Sequence, residues 1–299
     1  MHRSIFSASF DESKNIVDKE ILKPSGTGIG DASSLKLKDR IIIFLLFTFF
    51  FEGLSYSIGI AMPESMLDSN PSDIFLISFK SAILIGKIGI FLRPVVMFGI
   101  LISFLILTIN LIPKKNYAHQ LIIGSLIVIS MLFCVIFATL PMIIGLTIDG
   151  TGLLGVVFQI AICVVVIRNF ISDRRKEFKE KIWGYKDTSN KPKSFINVNL
   201  KKALSIAVFL IIINRYLFHI GEGNIGQPGF FGLVYGWTML AIIAFFAFLF
   251  HIVSPQFLSI FYFVKYGEQY REYFEISDEQ WYGKRKAKRL GKRRKKNLE

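Results

Sequence analysis

The chain predicts an all-α fold: a polytopic membrane helix bundle of about six transmembrane helices, with both termini cytoplasmic. Three observations lead there. Of its 299 residues 52% are hydrophobic and 30 are phenylalanine, more apolar surface than one water-soluble core of that size needs. Several apolar runs reach the length of about 20 residues that a spanning helix requires. The basic residues gather in alternate loops, as they do when charge sets orientation in a bilayer.

The N-terminal tail, residues 1–40, holds seven bases and six acids, unlike a secretory signal with its short basic start and apolar core. Its PSGTGIGDASS stretch, Pro24 to Ser34, reads as a flexible tether. The GTGIG inside it follows no strand and precedes no Lys-Ser or Lys-Thr pair, so a phosphate loop is not expected. The membrane bundle then occupies 41–264. Its first span, Ile41 to Met62, is apolar almost throughout yet carries Glu52. Ser55 with Gly59, and Gly53 with Ser57, place small residues four apart, the spacing that lets helices approach closely.

Segment 74–93, IFLISFKSAILIGKIGIFLR, is apolar but contains Lys80 and Lys87 on one helical face. It reads as an amphipathic helix on the outer leaflet or a tilted approach to the second span; alternatively, the two lysines line a pore or interface inside the bundle. The second span is Pro94 to Ile112, the third Gln120 to Pro141, the fourth Leu153 to Ile171 and the fifth Ala203 to Phe218. A basic cytoplasmic loop, 172–202, joins the fourth to the fifth and opens with a short charged helix. GEGNIGQPG, Gly221 to Gly229, is the turn into the sixth span, which begins near Phe231 and carries the small pair Gly232 and Gly236. Pro255 is expected to end that span near His251, with an in-plane helix from Gln256 to about Ile276.

The charges fix the expected orientation. Of 36 Lys and Arg, seven precede the first span, two are Lys114 and Lys115, eleven lie from Arg168 to Lys202 and twelve from Lys265 onward. The intervening loops, Met62 to Asp73, Met142 to Gly152 and His219 to Gly232, contain acids and no base. An odd number of spans would put a large basic block on the outer face. The basic tail, 265–299, ends in Lys284, Arg285, Lys286, Lys288, Arg289, Lys292, Arg293, Arg294, Lys295 and Lys296. Following a span, this cluster is expected to contact anionic lipids of the inner leaflet, at roughly 1 kcal/mol per base, rather than nucleic acid.

Two charges lie inside the spans. Glu52 is eleven residues from the start of the first and Arg215 twelve from the start of the fifth, about 17 and 18 Å along a helix. Both spans run the same way, so the two are expected to share a depth, face the interior and pair, with Asn214 or Gln159 adding hydrogen bonds. Such a pair fixes how two helices meet, or forms a site for a proton, ion or polar solute. In the other arrangement Arg215 reaches the outer interface beside His219 and Glu52 is protonated.

Metal and cofactor chemistry are not expected, because His219 lies at an outer helix end while His119 and His251 lie near inner ends. HExxH, CxxC and Gly-x-Ser-x-Gly patterns are missing, and Cys134 and Cys163 lie inside apolar runs as small buried thiols. The chain is therefore expected to be a non-enzymatic membrane protein acting by contact with another membrane protein, as an immunity, accessory or assembly factor. The alternative is a small-solute or ion transporter, or a transporter permease subunit, using Glu52 and Arg215. The Ile-, Phe- and Lys-rich composition is compatible with a bacterium of low GC content, and the cell membrane is the expected location.

Overall fold

The computed structural model describes residues 3–22, 32–112, 116–184, 198–220 and 229–296, and among them there are helices and no strand. Most of Pro24–Ser34, residues 185–197 of the 172–202 loop and most of Gly221–Gly229 lie outside the described residues. Among the described residues four helices are long and apolar enough to cross a membrane: Leu37–Asp68, Phe79–Leu111, Tyr117–Trp183 and Thr238–Lys265.

In chain order, α1 (Phe10–Ser13) opens on Ser9, whose Oγ accepts from the Glu12 N–H at 3.3 Å while Glu12 Oε2 accepts from the Ser9 N–H at 2.8 Å. That backbone hydrogen bond from Ser9 holds the Glu12 carboxyl below the usual range. α2 (Leu37–Asp68) is continuous, but two of its stretches, Phe47–Glu52 and Ser57–Ala61, are wound as wider π-helix turns. α3 (Phe79–Leu111) is a single helix capped by Ser78, whose Oγ accepts from the Ser81 N–H at 3.3 Å. Segment 74–93 is thus no separate in-plane helix: its larger part is the beginning of α3. Lys80 and Lys87 are both exposed on it, which removes them from the bundle interior.

A straight α4 (Tyr117–Trp183) of 67 residues would extend about 100 Å. It does not, because Gly152 adopts φ 70° and ψ −178°, a left-handed backbone that only glycine enters cheaply. Tyr117 and Leu121 near its start share one buried cluster with Phe178 and Ile182 near its end. The arms 117–151 and 153–183 therefore fold back on each other, with Gly152 at the bend. Gly184, at φ 68°, ends the second arm by donating its N–H to the Glu180 carbonyl at 2.8 Å.

α5 (Val198–Ile213) ends in a π turn, Asn214–Phe218, closed by His219 in the left-handed region. After α6 (Gly232–Tyr235), α7 (Thr238–Lys265) runs through Pro255 without ending, contrary to the expectation from sequence. The proline removes one N–H donor, but Ser254, Leu258, Ile260, Tyr262 and Phe263 are buried around it, and this packing carries the helix onward. α8 (Gly267–Tyr273), α9 (Asp278–Tyr282) and α10 (Lys284–Lys296) follow. No in-plane helix spans Gln256 to Ile276.

Neighbouring helices meet end to start. The Arg40 guanidinium, at the beginning of α2, donates to the carbonyls of Asn110 at 2.8 Å and Ile112 at 3.0 Å, satisfying the end of α3. Close packing uses the small residues: a Cβ on Gly59 would lie 2.8 Å from Ala138 Cα, and one on Gly150 would lie 2.5 Å from Gly236 Cα. Gly53 meets only its own helix, and Ser57 is exposed, so this expected pair joins nothing. The outer faces are apolar, with Phe49 77% and Phe91 80% exposed, as suits a bundle whose solvent is hydrocarbon.

The two terminal segments pack together at one end. Tyr262 Oη donates to the Ile5 carbonyl and accepts from the Ala8 N–H at 3.2 Å, while Tyr266 Oη donates to the Ala8 carbonyl at 2.7 Å. Ser13 Oγ and Tyr270 Oη lie 2.6 Å apart, and Phe10 stands edge-on to the Tyr270 ring. Burial in this aromatic cap pushes the Tyr270 phenol up to about 12.

Candidate functional site

Arg215 is fully buried, but it does not meet Glu52. Its Nε and Nη2 donate to the backbone carbonyl of Asp149, at 3.0 and 2.8 Å. Asp149 stands in the last turn before the Gly152 bend, where helix carbonyls lose their partners and a guanidinium is a suitable cap. The Asp149 carboxylate, also fully buried, accepts from the Ser78 N–H, at 3.3 Å to each oxygen, and from the hydroxyls of Ser78 and Tyr235. It thus caps the start of α3, where the helix dipole favours negative charge.

Gln159, on the second arm, joins the same region. Its Nε2 donates to the Gly236 carbonyl at 2.8 Å and lies 3.4 Å from Thr151 Oγ1, which donates to the Thr147 carbonyl at 2.8 Å. Asn214 turns the other way: its Nδ2 donates to the Ile220 carbonyl at 3.2 Å and its Oδ1 accepts from the Ile220 N–H at 3.1 Å. Of the four residues expected to cluster, the structure brings Arg215 and Gln159 into one region and leaves Asn214 and Glu52 outside it.

Glu52 lies deep between α2, α3 and the first arm of α4, beside Ser103 and near Cys134. Cys134 and Asp149 are fifteen residues apart on that arm, about 22 Å along it. No ion pair joins Glu52 to any base among the described residues. The expected pairing fails because α2 continues for sixteen residues past Glu52, to Asp68, whereas the turn carrying Arg215 ends three residues later at Phe218. Counting from the first apolar residue of each span put them level; counting from the far ends separates them.

Asp149, Ser78 and Tyr235 are the residues that sequence reasoning missed at this centre. Asp149 was legible as the lone charge of Met142 to Gly152, and its neighbours Gly150 and Gly152 signal a break. Together these groups tie the start of α3, the α4 bend, the end of α5 and the α6–α7 junction into one hydrogen-bonded unit. Among the described residues no three His, Cys, Asp or Glu side chains gather as metal ligands.

At the opposite end, α10 carries Lys284, Arg285, Lys286, Lys288, Arg289, Lys292, Arg293 and Arg294 exposed to solvent, and Arg294 Nη1 pairs with Asp278 at 3.0 Å. The side chains of Lys295 and Lys296 lie outside the described residues. No family model, no curated protein and no solved structure matches the chain.

Proposed function

We propose that this chain is a non-enzymatic, multi-pass protein of a bacterial cell membrane that works by contact with another membrane component, as an immunity, accessory or assembly factor. In this reading it crosses the bilayer six times, with both terminal segments in the cytoplasm. The fold-back of α4 at Gly152 supports two crossings from that helix, and the joint packing of residues 3–22 with α7, α8 and α9 supports a common side for the termini. α5 supplies the remaining crossing; with its π turn its apolar part, Leu204–Phe218, is shorter than the others.

The observation that carries the contact reading is the terminal cap. An aromatic platform of Phe10, Tyr266, Tyr270 and Trp281 holds the N-terminal segment against α7 to α9, and it presents the basic α10 and an open groove between Lys14–Lys19 and Tyr273–Glu275. A built, ordered surface of this kind serves recognition, and its basic helix suits anionic headgroups or an acidic face of a partner near the membrane. The transport alternative is weaker, since the Arg215 it needs beside Glu52 caps Asp149 instead.

Three measurements test this. Single cysteines introduced at Ser65, Ser172 and Gly291 into a chain lacking Cys134 and Cys163 should report Ser65 outside and the other two inside; Ser172 and Ser65 on one side would end the six-crossing reading. Photocrosslinkers on α10 and along the groove should give a discrete adduct in native membranes that Lys288→Glu with Arg289→Glu removes. Purified protein that moves ions or solutes across vesicle membranes by itself would overturn the contact reading.

A further inference from the structure

Pro255 lies inside α7, and it deprives the residue four places earlier of its helical partner: the carbonyl of His251 would accept from the N–H of residue 255, and proline has none. Apolar packing around the proline favours a continuous helix but leaves that carbonyl unmet. A side chain from another helix meets it. Arg174, on the second arm of α4, donates through Nη2 to the His251 carbonyl. The residue is only 5% exposed although it carries a charge.

Its surroundings hold the guanidinium there. Nη1 donates to Glu177, which also pairs with Lys181 at 3.2 Å, so the buried cation is balanced from within its own helix. The Phe178 ring centre lies 5.6 Å from the Arg174 Cζ. One turn earlier Phe170 stands edge-on to Phe250 at 5.9 Å, which sets the register of the arm against α7. One nitrogen of the fork thus goes to an acid, and the other replaces the amide that Pro255 lacks. Beyond the proline lie Tyr262 and Tyr266, which bind the backbone of Ile5 and Ala8 in the terminal cap.

We propose that Arg174 is the latch of a proline hinge in α7, and that it holds the terminal cap to the bundle. Long helices bend at proline, and the carbonyl freed there needs a partner from outside the helix. With the guanidinium on the His251 carbonyl, α7 is one rod from Thr238 to Lys265. Without it, a buried carbonyl has no partner and the helix opens around residues 251–255. Residues 256–265 then loosen together with the N-terminal segment they clasp. The device is independent of what the cap contacts.

The test is a double-variant cycle on the full chain in lipid nanodiscs, read by hydrogen exchange. Arg174→Met keeps an apolar stem and removes every donor, whereas Pro255→Ala returns the N–H that the His251 carbonyl lacks. Arg174→Met alone should speed exchange of residues 256–266 and 5–16 by about tenfold or more, the effect of losing a charged hydrogen bond, and leave residues 241–248 within about threefold of the parent. In the Pro255→Ala background the same substitution should change exchange of all three segments by less than about threefold. If Arg174→Met fails to fold, recovery of a folded chain on adding Pro255→Ala supports the latch, and failure of the double variant overturns it. Equal acceleration with and without the proline, acceleration shared by residues 241–248, or no acceleration would overturn it as well.

Discussion

Replacing Arg215 tests the buried centre most directly. Its guanidinium is fully buried and gives two hydrogen bonds to one carbonyl, with the Asp149 carboxylate on the same residue. Arg215→Met removes the cation and leaves that carboxylate in low dielectric among neutral donors alone; breaking a buried charge arrangement in this way costs about 3–5 kcal/mol. Arg215→Lys keeps the charge but cannot reproduce a planar fork on one acceptor, so the expected loss is smaller, about 1–3 kcal/mol. Adding Asp149→Asn to Arg215→Met removes the stranded charge and should recover about half of the larger loss. The assay is reversible unfolding in mixed micelles, followed by tryptophan fluorescence with α-helical circular dichroism as a second probe. If Arg215→Met cost under about 1 kcal/mol, or if the double variant were less stable than Arg215→Met alone, the view of Asp149 and Arg215 as one charge-balanced unit would be wrong.

Gly150→Ala should destabilise the bundle by about 1–3 kcal/mol, because the new Cβ would lie 2.4 Å from the Gly232 carbonyl oxygen and backbone must shift. Gly53→Ala, which meets nothing nearer than its own Thr48 carbonyl at 3.9 Å, should be neutral or stabilising by up to about 1 kcal/mol in the same unfolding assay. The Tyr270 phenol is raised by burial in the folded chain from its ordinary value of 10.0 to about 12, so its contribution to the terminal cap is complete below pH 10 and is lost as pH rises through 12. Hydrogen exchange of residues 5–16 should accelerate across that window, and Tyr270→Phe should flatten the dependence; exchange unaffected by pH in the parent chain, after correction for the intrinsic rate, would refute the coupling. Tyr235→Phe removes one hydroxyl donor to Asp149 and should cost about 1–2 kcal/mol, with the loss absent in an Asp149→Asn background.

The helical elements were legible because apolar length is a property of the sequence itself, and the runs around Ile41, Pro94, Gln120, Leu153 and Ala203 each coincide with a described helix. Where each helix stops was less legible. Pro255 carries the local signal of a terminator, but the burial of Tyr262 and Phe263 against the N-terminal segment outweighs it, and that contact joins residues some 250 positions apart. The mistaken Glu52–Arg215 pair has the same origin: hydropathy marks where a helix becomes apolar, while depth depends on both of its ends. Asp149 was visible as a charge and hidden as a partner, since only the bend at Gly152 brings it to Ser78, Tyr235 and Arg215. The small-residue spacing of Ser55 with Gly59 and of Gly53 with Ser57 looked alike in sequence, and only the position of Ala138 separates them.

The clasp between Ile5–Ala8 and Tyr262–Tyr266 has a consequence for biosynthesis. A ribosome adding about 5–20 residues per second needs roughly 13–50 s to travel from the first of these partners to the second. Throughout that interval the leading segment has no Tyr262 hydroxyl to bind, so this joint closes only after the helices from α2 to α6 have been synthesised, and the contacts of Ser13 and Phe10 with Tyr270 close later still.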